Sequence, residues 1–486
     1  VVLAQDCPVR APGPPLQMRL WSQVAAFLLG SNVGRISIAS SVVLLVVTAV
    51  RAAAARLPAW LSRGLLAGAL PLLVLRYAWI WKSARVRRFL GTGQDLQRVL
   101  ARMPSAKAAP MPPIWAFNRH VQFVPWMIYN MIVASLAPIH FEERKLRVYG
   151  LEDKTRPEGE TNRRSVEDTV VLNVFPAVGS ELRAEVPVIV VEPGLTCTAQ
   201  DVPGSSLTRL AISRGFRVVV VERRGHAAPL ASPRWNLFGD LDDAEQVYRE
   251  LQGLFPAAPL FWVGISSGSK LIIEGLGKYD ERRAKGDKAA PRFVAAACIC
   301  PGYNLETCFN GFHFPYTSLC LSSVRGKFLL ANERLLREHN PAAFEAASQA
   351  KHLQSLLALA APFAGYPDSK AYFAAENPVR FAQLVTTPTL IVSAEDDPCT
   401  VLANAFAKSP WHKGSPTFVE LLQASPCGML LISPTGSHCA FLDGVLWPFE
   451  RVSKALGHLV CASWAERCVL EFFEGYLQEE RAREGG

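Results

Sequence analysis

The stretch that decides the fold reads PLFWVGISSGSKLIIEGLG and covers residues 259–277. Residues 259–264 are apolar enough for a buried strand, and residues 267–278 have the composition of a helix. Between them, GISSG at 264–268 is a G-x-S-x-G pattern. On a strand-to-helix turn, this pattern holds its serine in a strained conformation with the hydroxyl exposed. We therefore predict Ser266 as a nucleophile, because the strand and helix strengthen a motif that is weak alone.

Short β-branched runs alternate with helical segments from about residue 145 onward. Near-continuous apolar strands separated by helices predict an α/β fold with a mostly parallel sheet and helices on both faces. Residues 303–383 interrupt this rhythm with aromatic-rich, largely helical sequence, and we expect them to form a lid. The predicted strands are 169–175, 187–192, 217–222, 259–264, 293–300 and 388–394, with helices at 241–254 and 267–278.

A serine hydroxyl becomes a good nucleophile only when a base takes its proton and a carboxylate orients that base. Three carboxylates, at residues 395–397, follow the strand 388–394 at the edge where sites in open α/β sheets lie. His438 follows the apolar run 430–432 in a glycine-containing loop. The chain order of serine, acid and histidine predicts His438 as the base.

An oxyanion hole needs two backbone N–H groups that point at the oxygen as it gains charge. Ser267, the residue after the predicted nucleophile, supplies one amide. The turn EPGLT at 192–196 follows an early strand, and we expect Leu195 to supply the other. Gly194 allows a close approach of the backbone to a substrate.

Further motifs follow one another in an order typical of one family. The chain resembles the YheT-like branch of the α/β-hydrolases, which includes the membrane-anchored abhydrolase domain-containing proteins one to three. The resemblance covers roughly residues 110–450 and implies the α/β-hydrolase fold, with Asp397 rather than Asp396 as the partner of His438. It is carried by Pro193 to Thr196, Arg224-Gly225, Pro233-Arg234, Gly239-Asp240, Asp243, Tyr366, Tyr372, Asn377, Ala394 to Pro398, and Gly436 with His438.

The chain departs from this family pattern beside the oxyanion loop. Glu192 stands where the family usually has histidine, and Cys197 replaces a usual glycine. A carboxylate at this place disfavours a developing negative charge unless it is ion-paired. Arg223 and Arg224 are the expected partners.

The N-terminal region predicts a membrane anchor. Residues 36–50 and 64–81 are apolar, and a basic run at 82–88 follows them. One or two transmembrane helices are expected, although both stretches are at the short end of what spans a bilayer. A cleaved signal sequence and a buried helical hairpin are the alternatives. The predicted plan is an N-terminal segment (1–35), the anchor (36–81), a basic juxtamembrane segment with a Pro-rich linker (82–115) and the hydrolase domain (116–480).

Composition narrows the classes of function. The net charge is +9, but the basic residues are not interleaved with aromatic residues, so nucleic-acid binding is not expected. The eleven cysteines show no metal-ligand or disulfide-framework spacing, and we expect no metal or organic cofactor. Cys298 and Cys300 lie two apart in a strand-like run and are expected to be buried on one side of it.

These patterns predict hydrolysis of carboxylic esters through an acyl-enzyme. The resemblance implies a lipid ester, such as a monoacylglycerol or a phospholipid. We expect an intracellular membrane, and the basic run at 82–88 favours a catalytic domain on its cytosolic side, although Arg51, Arg56 and Arg63 leave the orientation open. We infer no obligate protein partner. The alternatives are a water-soluble short-chain ester as substrate, an acyltransferase that uses the same triad, and a catalytically impaired scaffold that binds a lipid or a protein.

Overall fold

In the computed structural model, the described part of the chain runs from residue 85 to residue 484, with residues 71, 75 and 78. Gaps in it fall at 114, 117, 137, 152, 156–164, 181–182, 202–203, 315, 409–413 and 445–462. The chain divides into two compact units, residues 1–76 with 132–138 and residues 77–131 with 139–486. The sheet and the candidate site lie in the second unit.

A nine-stranded sheet organises this unit, with the strand order β1-β9-β8-β7-β6-β4-β5-β3-β2. Within the described residues, five neighbouring pairs are parallel and three are antiparallel, so the prediction of a mostly parallel sheet is confirmed. The strands are β1 (Arg87–Leu90), β2 (Glu142–Leu151), β3 (Ser165–Phe175), β4 (Val188–Glu192), β5 (Arg217–Glu222), β6 (Leu260–Ile265), β7 (Ala295–Ile299), β8 (Thr389–Ala394) and β9 (Gly428–Ser433).

The central strands are buried on both faces, which is why their sequences are apolar at every position rather than at alternate ones. In β4, Val188 and Val190 enter one apolar cluster, while Ile189 and Val191 enter another on the opposite face. All six predicted strands are present, and their ends differ from the prediction by at most four residues.

Helices cover both faces of the sheet. The helices are α1 (Gln94–Ala101), α2 (Arg119–Leu136), α3 (Gly204–Ser213), α4 (Leu241–Leu254), α5 (Ser269–Ala284), α6 (Tyr316–Val324), α7 (Glu333–His339), α8 (Pro341–Ser348), α9 (Leu353–Leu359), α10 (Ser369–Glu376), α11 (Phe418–Ala424) and α12 (Trp464–Glu484). Leu207 of α3 and Phe472 of α12 pack on one face, and Val247 of α4 and Leu276 of α5 pack on the other.

The insertion at residues 303–383 contains α6 to α10 and is largely helical, as the sequence predicts. It has an apolar core of its own, which includes Phe328, Leu356 and Phe363. The indole of Trp235, outside the insertion, stacks on the ring of Phe328 with 5.0 Å between centroids. This core gives the insertion a fixed shape beside the sheet.

The start of the α/β unit differs from the prediction. Within the expected juxtamembrane segment and linker, residues 82–115, Arg87–Leu90 forms an edge strand that pairs antiparallel with β9. Phe89 and Leu90 pack against the two apolar clusters, while Arg87 lies at the exposed edge, where charged residues discourage further pairing. This segment therefore belongs to the sheet, upstream of the boundary expected at residue 116.

The predicted anchor, residues 36–81, lies outside the described residues except for positions 71, 75 and 78. In the part of the chain that the structure does describe, no helix combines the length and the apolarity that crossing a bilayer requires.

The prediction that Cys298 and Cys300 face the same side is wrong, although both are buried. β7 ends at Ile299, and Cys300 adopts φ 50° in the turn that follows. This turn places Cys298 and Cys300 in the apolar clusters of opposite faces.

Candidate active site

Ser266 occupies a tight turn between β6 and α5, with a left-handed φ of 52°. A Cβ atom at Gly264 would lie 2.5 Å from the side chain of Ile272, and one at Gly268 would lie 2.3 Å from the carbonyl oxygen of Glu192. Neither position can accept a side chain without movement of its surroundings. The G-x-S-x-G spacing therefore reflects close packing of the helix against the sheet, which pushes Ser266 outward.

Ser266, His438 and Asp397 lie together at the carboxyl ends of β6, β9 and β8. The Oγ of Ser266 lies 3.0 Å from Nε2 of His438, and Nδ1 of that ring lies 2.9 Å from Oδ2 of Asp397. Both distances are within hydrogen-bonding range. The structure thus brings together Ser266 and His438, which the chain order predicts, and Asp397, which the family resemblance implies, in the sequence hydroxyl, imidazole, carboxylate.

The Asp397 carboxylate is buried and held from several directions. Its Oδ1 accepts hydrogen bonds from the amides of Cys399 at 2.7 Å and Thr400 at 2.9 Å, and its Oδ2 accepts one from the Thr400 hydroxyl at 2.9 Å. These donors fix the carboxylate plane, so the imidazole of His438 meets an acceptor that does not rotate away.

The two neighbouring carboxylates have other roles. Asp396 accepts a hydrogen bond at 2.8 Å from the amide of Ser437, directly before His438, and so supports the histidine loop. Burial raises the pKa of Asp396 to about 6, against the opposing effect of that hydrogen bond. Glu395 is partly exposed and pairs with Arg87 at 2.8 Å. The preference for Asp397 over Asp396 agrees with this geometry.

Two opposing effects act on the imidazole. Burial lowers the pKa of His438, but the charge of Asp397 and its hydrogen bond outweigh burial and hold this pKa well above its usual value. The carboxylate therefore stabilises the protonated form of the imidazole.

The turn after β4 lies directly beside Ser266. A Cβ atom at Gly194 would be 3.6 Å from the Cβ of Ser266, so the loop backbone passes close to the hydroxyl. The guanidinium of Arg223 donates to the carbonyl oxygens of Pro193 at 3.0 Å and Gly194 at 3.3 Å. Because a trans peptide directs its N–H opposite to its C=O, this contact turns the Leu195 amide away from Arg223. Within the described residues, the Leu195 amide donates no hydrogen bond.

Residues of the insertion hold the same loop from the other side. The ammonium of Lys327 donates to the carbonyl oxygen of Thr196 at 2.7 Å, and the Ser323 hydroxyl donates to Oγ1 of Thr196 at 3.0 Å. Thr196 has a left-handed φ of 59°, a conformation that non-glycine residues keep only when neighbours hold it. The insertion therefore contributes to the shape of the predicted oxyanion loop.

Glu192 is buried beneath this loop. Burial raises its pKa to about 7, while the charge of Arg223 and a hydrogen bond from Trp262 act in the opposite direction. Of the two arginines expected to neutralise it, Arg224 pairs instead with Asp243, at 2.6 and 2.7 Å. Arg223 is the cation that acts on Glu192, and it also holds the loop.

Several residues near the histidine were not predicted. Nδ1 of His120, at the start of α2, lies 2.9 Å from the hydroxyl of Tyr316, at the start of α6. The ring of Phe123 lies 5.1 Å from that of Tyr316 and 6.1 Å from that of His438. Sequence offers no signal for this cluster, because the segments lie almost 200 residues apart and carry no motif.

Other motif residues form buried contacts away from the hydroxyl. Arg234 pairs with Asp240 at 2.9 Å, and the hydroxyl of Tyr366 donates to Glu376 at 2.5 Å. Asn377 donates from its side-chain amide to Oδ1 of Asn304 at 2.8 Å. The first of these contacts lies outside the insertion, and the other two lie within it. The hydroxyl of Tyr372 joins the two parts by donating to Oδ1 of Asn236 at 3.1 Å.

Comparisons with known proteins identify similar chains. The chain is similar to human Protein ABHD15 (28% identity, over 57% of this chain and 53% of the relative) and to mouse Phospholipase ABHD3 (28%, 54% and 60%). It is also similar to human Monoacylglycerol lipase ABHD2 (21%, 76% and 80%). The alignments span less than two thirds of the length of the first two relatives.

The profile of the Alpha/beta hydrolase family matches residues 189–447. This match covers more than half of the chain and includes the predicted oxyanion loop as well as Ser266, Asp397 and His438. The chain belongs to the alpha/beta hydrolase family.

Proposed function

We propose that this protein is a serine hydrolase that cleaves carboxylic esters through an acyl-enzyme. One observation carries the proposal: a serine in a strained turn, within hydrogen-bonding distance of a histidine that a buried carboxylate orients. That arrangement supplies the nucleophile, the general base and the group that stabilises the protonated base.

In the proposed reaction, Nε2 of His438 takes the proton as Oγ of Ser266 attacks the ester carbonyl carbon. Asp397 stabilises the imidazolium, and the amides of Leu195 and Ser267 stabilise the tetrahedral oxyanion. The histidine then returns the proton to the departing alcohol, leaving the acyl-serine. Water, deprotonated by the same histidine, hydrolyses that intermediate and releases the acid.

We further propose that the substrate is a lipid ester and that the chain acts at a membrane. Support comes from the names of two relatives, a phospholipase and a monoacylglycerol lipase. The aromatic rings of Phe123 and Tyr316 beside His438 offer apolar contact to an acyl chain. The apolar stretches within residues 36–81 would anchor the protein, with the catalytic domain on the cytosolic side of an intracellular membrane.

A fluorophosphonate probe tests the reaction class, because it reacts with activated serines. We expect the full chain in detergent or vesicles to be labelled, and Ser266→Ala to lose the label while keeping its fold. Ser213→Ala is the matched control, since Ser213 caps a carbonyl of α3 and lies in no predicted site. If Ser266→Ala is labelled as fast as the wild type, the proposal fails. A panel of monoacylglycerols, phospholipids and short-chain esters then tests the substrate class.

A further inference from the structure

Two buried thiols lie against the histidine of the proposed triad. Cys300 follows β7, and Cys439 follows His438 directly in sequence; their exposed fractions are 1% and 2%. One ligand atom from each of Cys300, Cys439 and His438 lies within 4.8 Å of the other two. The sequence spacing conceals this cluster, because 138 residues separate Cys300 from His438.

The backbone holds both thiols in place by uncommon conformations. Cys300 has φ 50° and Cys439 has φ 65°, both in the left-handed region that favours glycine. Such conformations cost free energy in an L-residue and persist where the surrounding structure determines them. The two turns direct the sulfurs of separate loops toward one imidazole.

Two thiols and an imidazole form a donor set suited to zinc, which prefers sulfur and nitrogen ligands in a tetrahedral arrangement. From Zn–S and Zn–N bonds of about 2.3 and 2.0 Å, ligands in such a site lie roughly 3.5–3.8 Å apart. The ligand atoms would therefore close by about 1.3 Å at most. We propose that Cys300, Cys439 and His438 form a binding site for a thiophilic divalent cation such as Zn²⁺, and that its occupation inhibits the triad.

Inhibition follows from the contacts of the imidazole, and this part of the inference rests on the proposed function. Nδ1 of His438 bonds Asp397, and Nε2 bonds Ser266. A cation bound at Nε2 would remove the group that accepts the serine proton. A cation bound at Nδ1 would displace the imidazole from the carboxylate that orients it.

Without a cation, the thiols leave the triad intact. Nε2 of His438 keeps its contact with Ser266, and Nδ1 keeps its contact with Asp397. Binding replaces two S–H protons by two metal–sulfur bonds, and the two protons pass to solvent. No oxidation or reduction is involved.

Cobalt titration of the full chain tests the site directly, because Co²⁺ substitutes for zinc and thiolate ligation produces a charge-transfer absorption. We expect this band in the wild type and in Cys427→Ser. Cys427 is a partly buried thiol directly before β9, at the end of that strand opposite His438. We expect Cys300→Ser and Cys439→Ser each to lose the band, with affinity weakened at least ~10-fold. Thermal unfolding curves verify that each variant is folded.

A second measurement follows the inhibition. One equivalent of Zn²⁺ should slow fluorophosphonate labelling of the wild type at least ~10-fold, and chelation should restore it. Each cysteine variant is compared with its own zinc-free rate, and the zinc effect should disappear in Cys300→Ser and Cys439→Ser. Absence of the cobalt band in folded wild type, or its persistence in both variants, would overturn the inference. Failure of the proposed function is distinguishable, because zinc-free wild type would then resist labelling whatever the cobalt spectrum shows.

Discussion

Glu376, at the end of α10, is the centre of a buried charge cluster that joins the insertion to the nucleophile helix. Its carboxylate accepts from the ammonium of Lys154 at 2.7 Å and from that of Lys270, four residues after Ser266. The side-chain amide of Asn236 also donates to it, at 2.8 Å. Its exposed fraction is 1%, so these contacts are not shared with solvent. We predict that Glu376→Gln severely destabilises the domain.

The magnitude follows from what the substitution leaves behind. Glutamine keeps the volume, so little packing is lost, but two buried ammonium groups lose a shared counterion. Removing one partner of a buried ion pair costs about 3–5 kcal/mol. Burial alone would raise the pKa of Glu376, but Lys154 and Lys270 hold it well below 4.5. The advantage of the wild type should therefore shrink as the pH falls below 4.5, where the unfolded chain takes up a proton that the folded cluster does not.

Urea unfolding of the catalytic unit in the full chain at neutral pH measures this loss. Glu338→Gln is the matched control: it removes the same charge from an exposed pair with Arg334, whose side chains are 65% and 91% exposed. We expect that control to cost no more than about 0.5 kcal/mol. The double variant Glu376→Gln with Lys270→Met should recover part of the loss, because one of the two ammonium groups that lost this carboxylate is then gone, while Glu274 keeps Lys278 as a partner. A loss for Glu376→Gln below about 1 kcal/mol, or equal to that of the control, would refute the reasoning.

Three further substitutions test the site. Asp397→Asn should slow fluorophosphonate labelling about 10⁴-fold without unfolding the protein, since the imidazole loses its orienting anion; a change below about tenfold would contradict that role. Gly268→Ala places a Cβ 2.3 Å from a backbone oxygen, so it should lower the free energy of unfolding by about 1–3 kcal/mol and abolish fluorophosphonate labelling. Gly253→Ala, with open space around its Cβ, should do neither, and equal effects of the two variants would exclude the steric explanation. For Glu192, burial raises the pKa from 4.5 to about 7. The contribution of this group to the free energy of unfolding is therefore fully present below pH 4.5 and falls by about 3 kcal/mol as the pH rises to 7. Glu192→Gln should reduce this loss in pH-dependent unfolding, while other buried carboxyls with raised pKa values, such as Glu466 and Asp396, continue to contribute; an unchanged slope would refute it.

Sequence identifies the site residues that belong to a local motif or that directly follow a predicted strand. The turn around Ser266 needs glycine at fixed offsets on both sides, and that need is visible within five residues. Asp397 and His438 each follow an apolar strand, so their place in the chain predicts their place at the sheet edge. The ambiguity between Asp396 and Asp397 is resolved by family resemblance, because both follow the same strand.

Features formed by distant segments could not be predicted in this way. From sequence alone, Arg87–Leu90 is interpreted as part of a basic juxtamembrane segment. Its pairing with β9, which the sequence does not indicate, makes it a strand. The ring of Tyr316 contacts His120 and Phe123 because α6 and α2 converge, and no local pattern encodes that convergence. The Cys300 and Cys439 cluster arises for the same reason, through two turns whose φ values are set by tertiary packing.

The electrostatic effect of the Glu192 carboxyl on the neighbouring loop depends on its interaction with Arg223. Sequence presents it as an anion that opposes an oxyanion unless Arg223 or Arg224 pairs with it. In the structure, Arg223 acts on this carboxyl and also donates to the loop carbonyls of Pro193 and Gly194. Below pH 7, where Glu192 is largely neutral, the guanidinium acts on the loop as an unopposed positive charge; above it, the two charges compensate each other. The protonation of Glu192, rather than its presence, therefore sets the electrostatic potential at the proposed oxyanion loop.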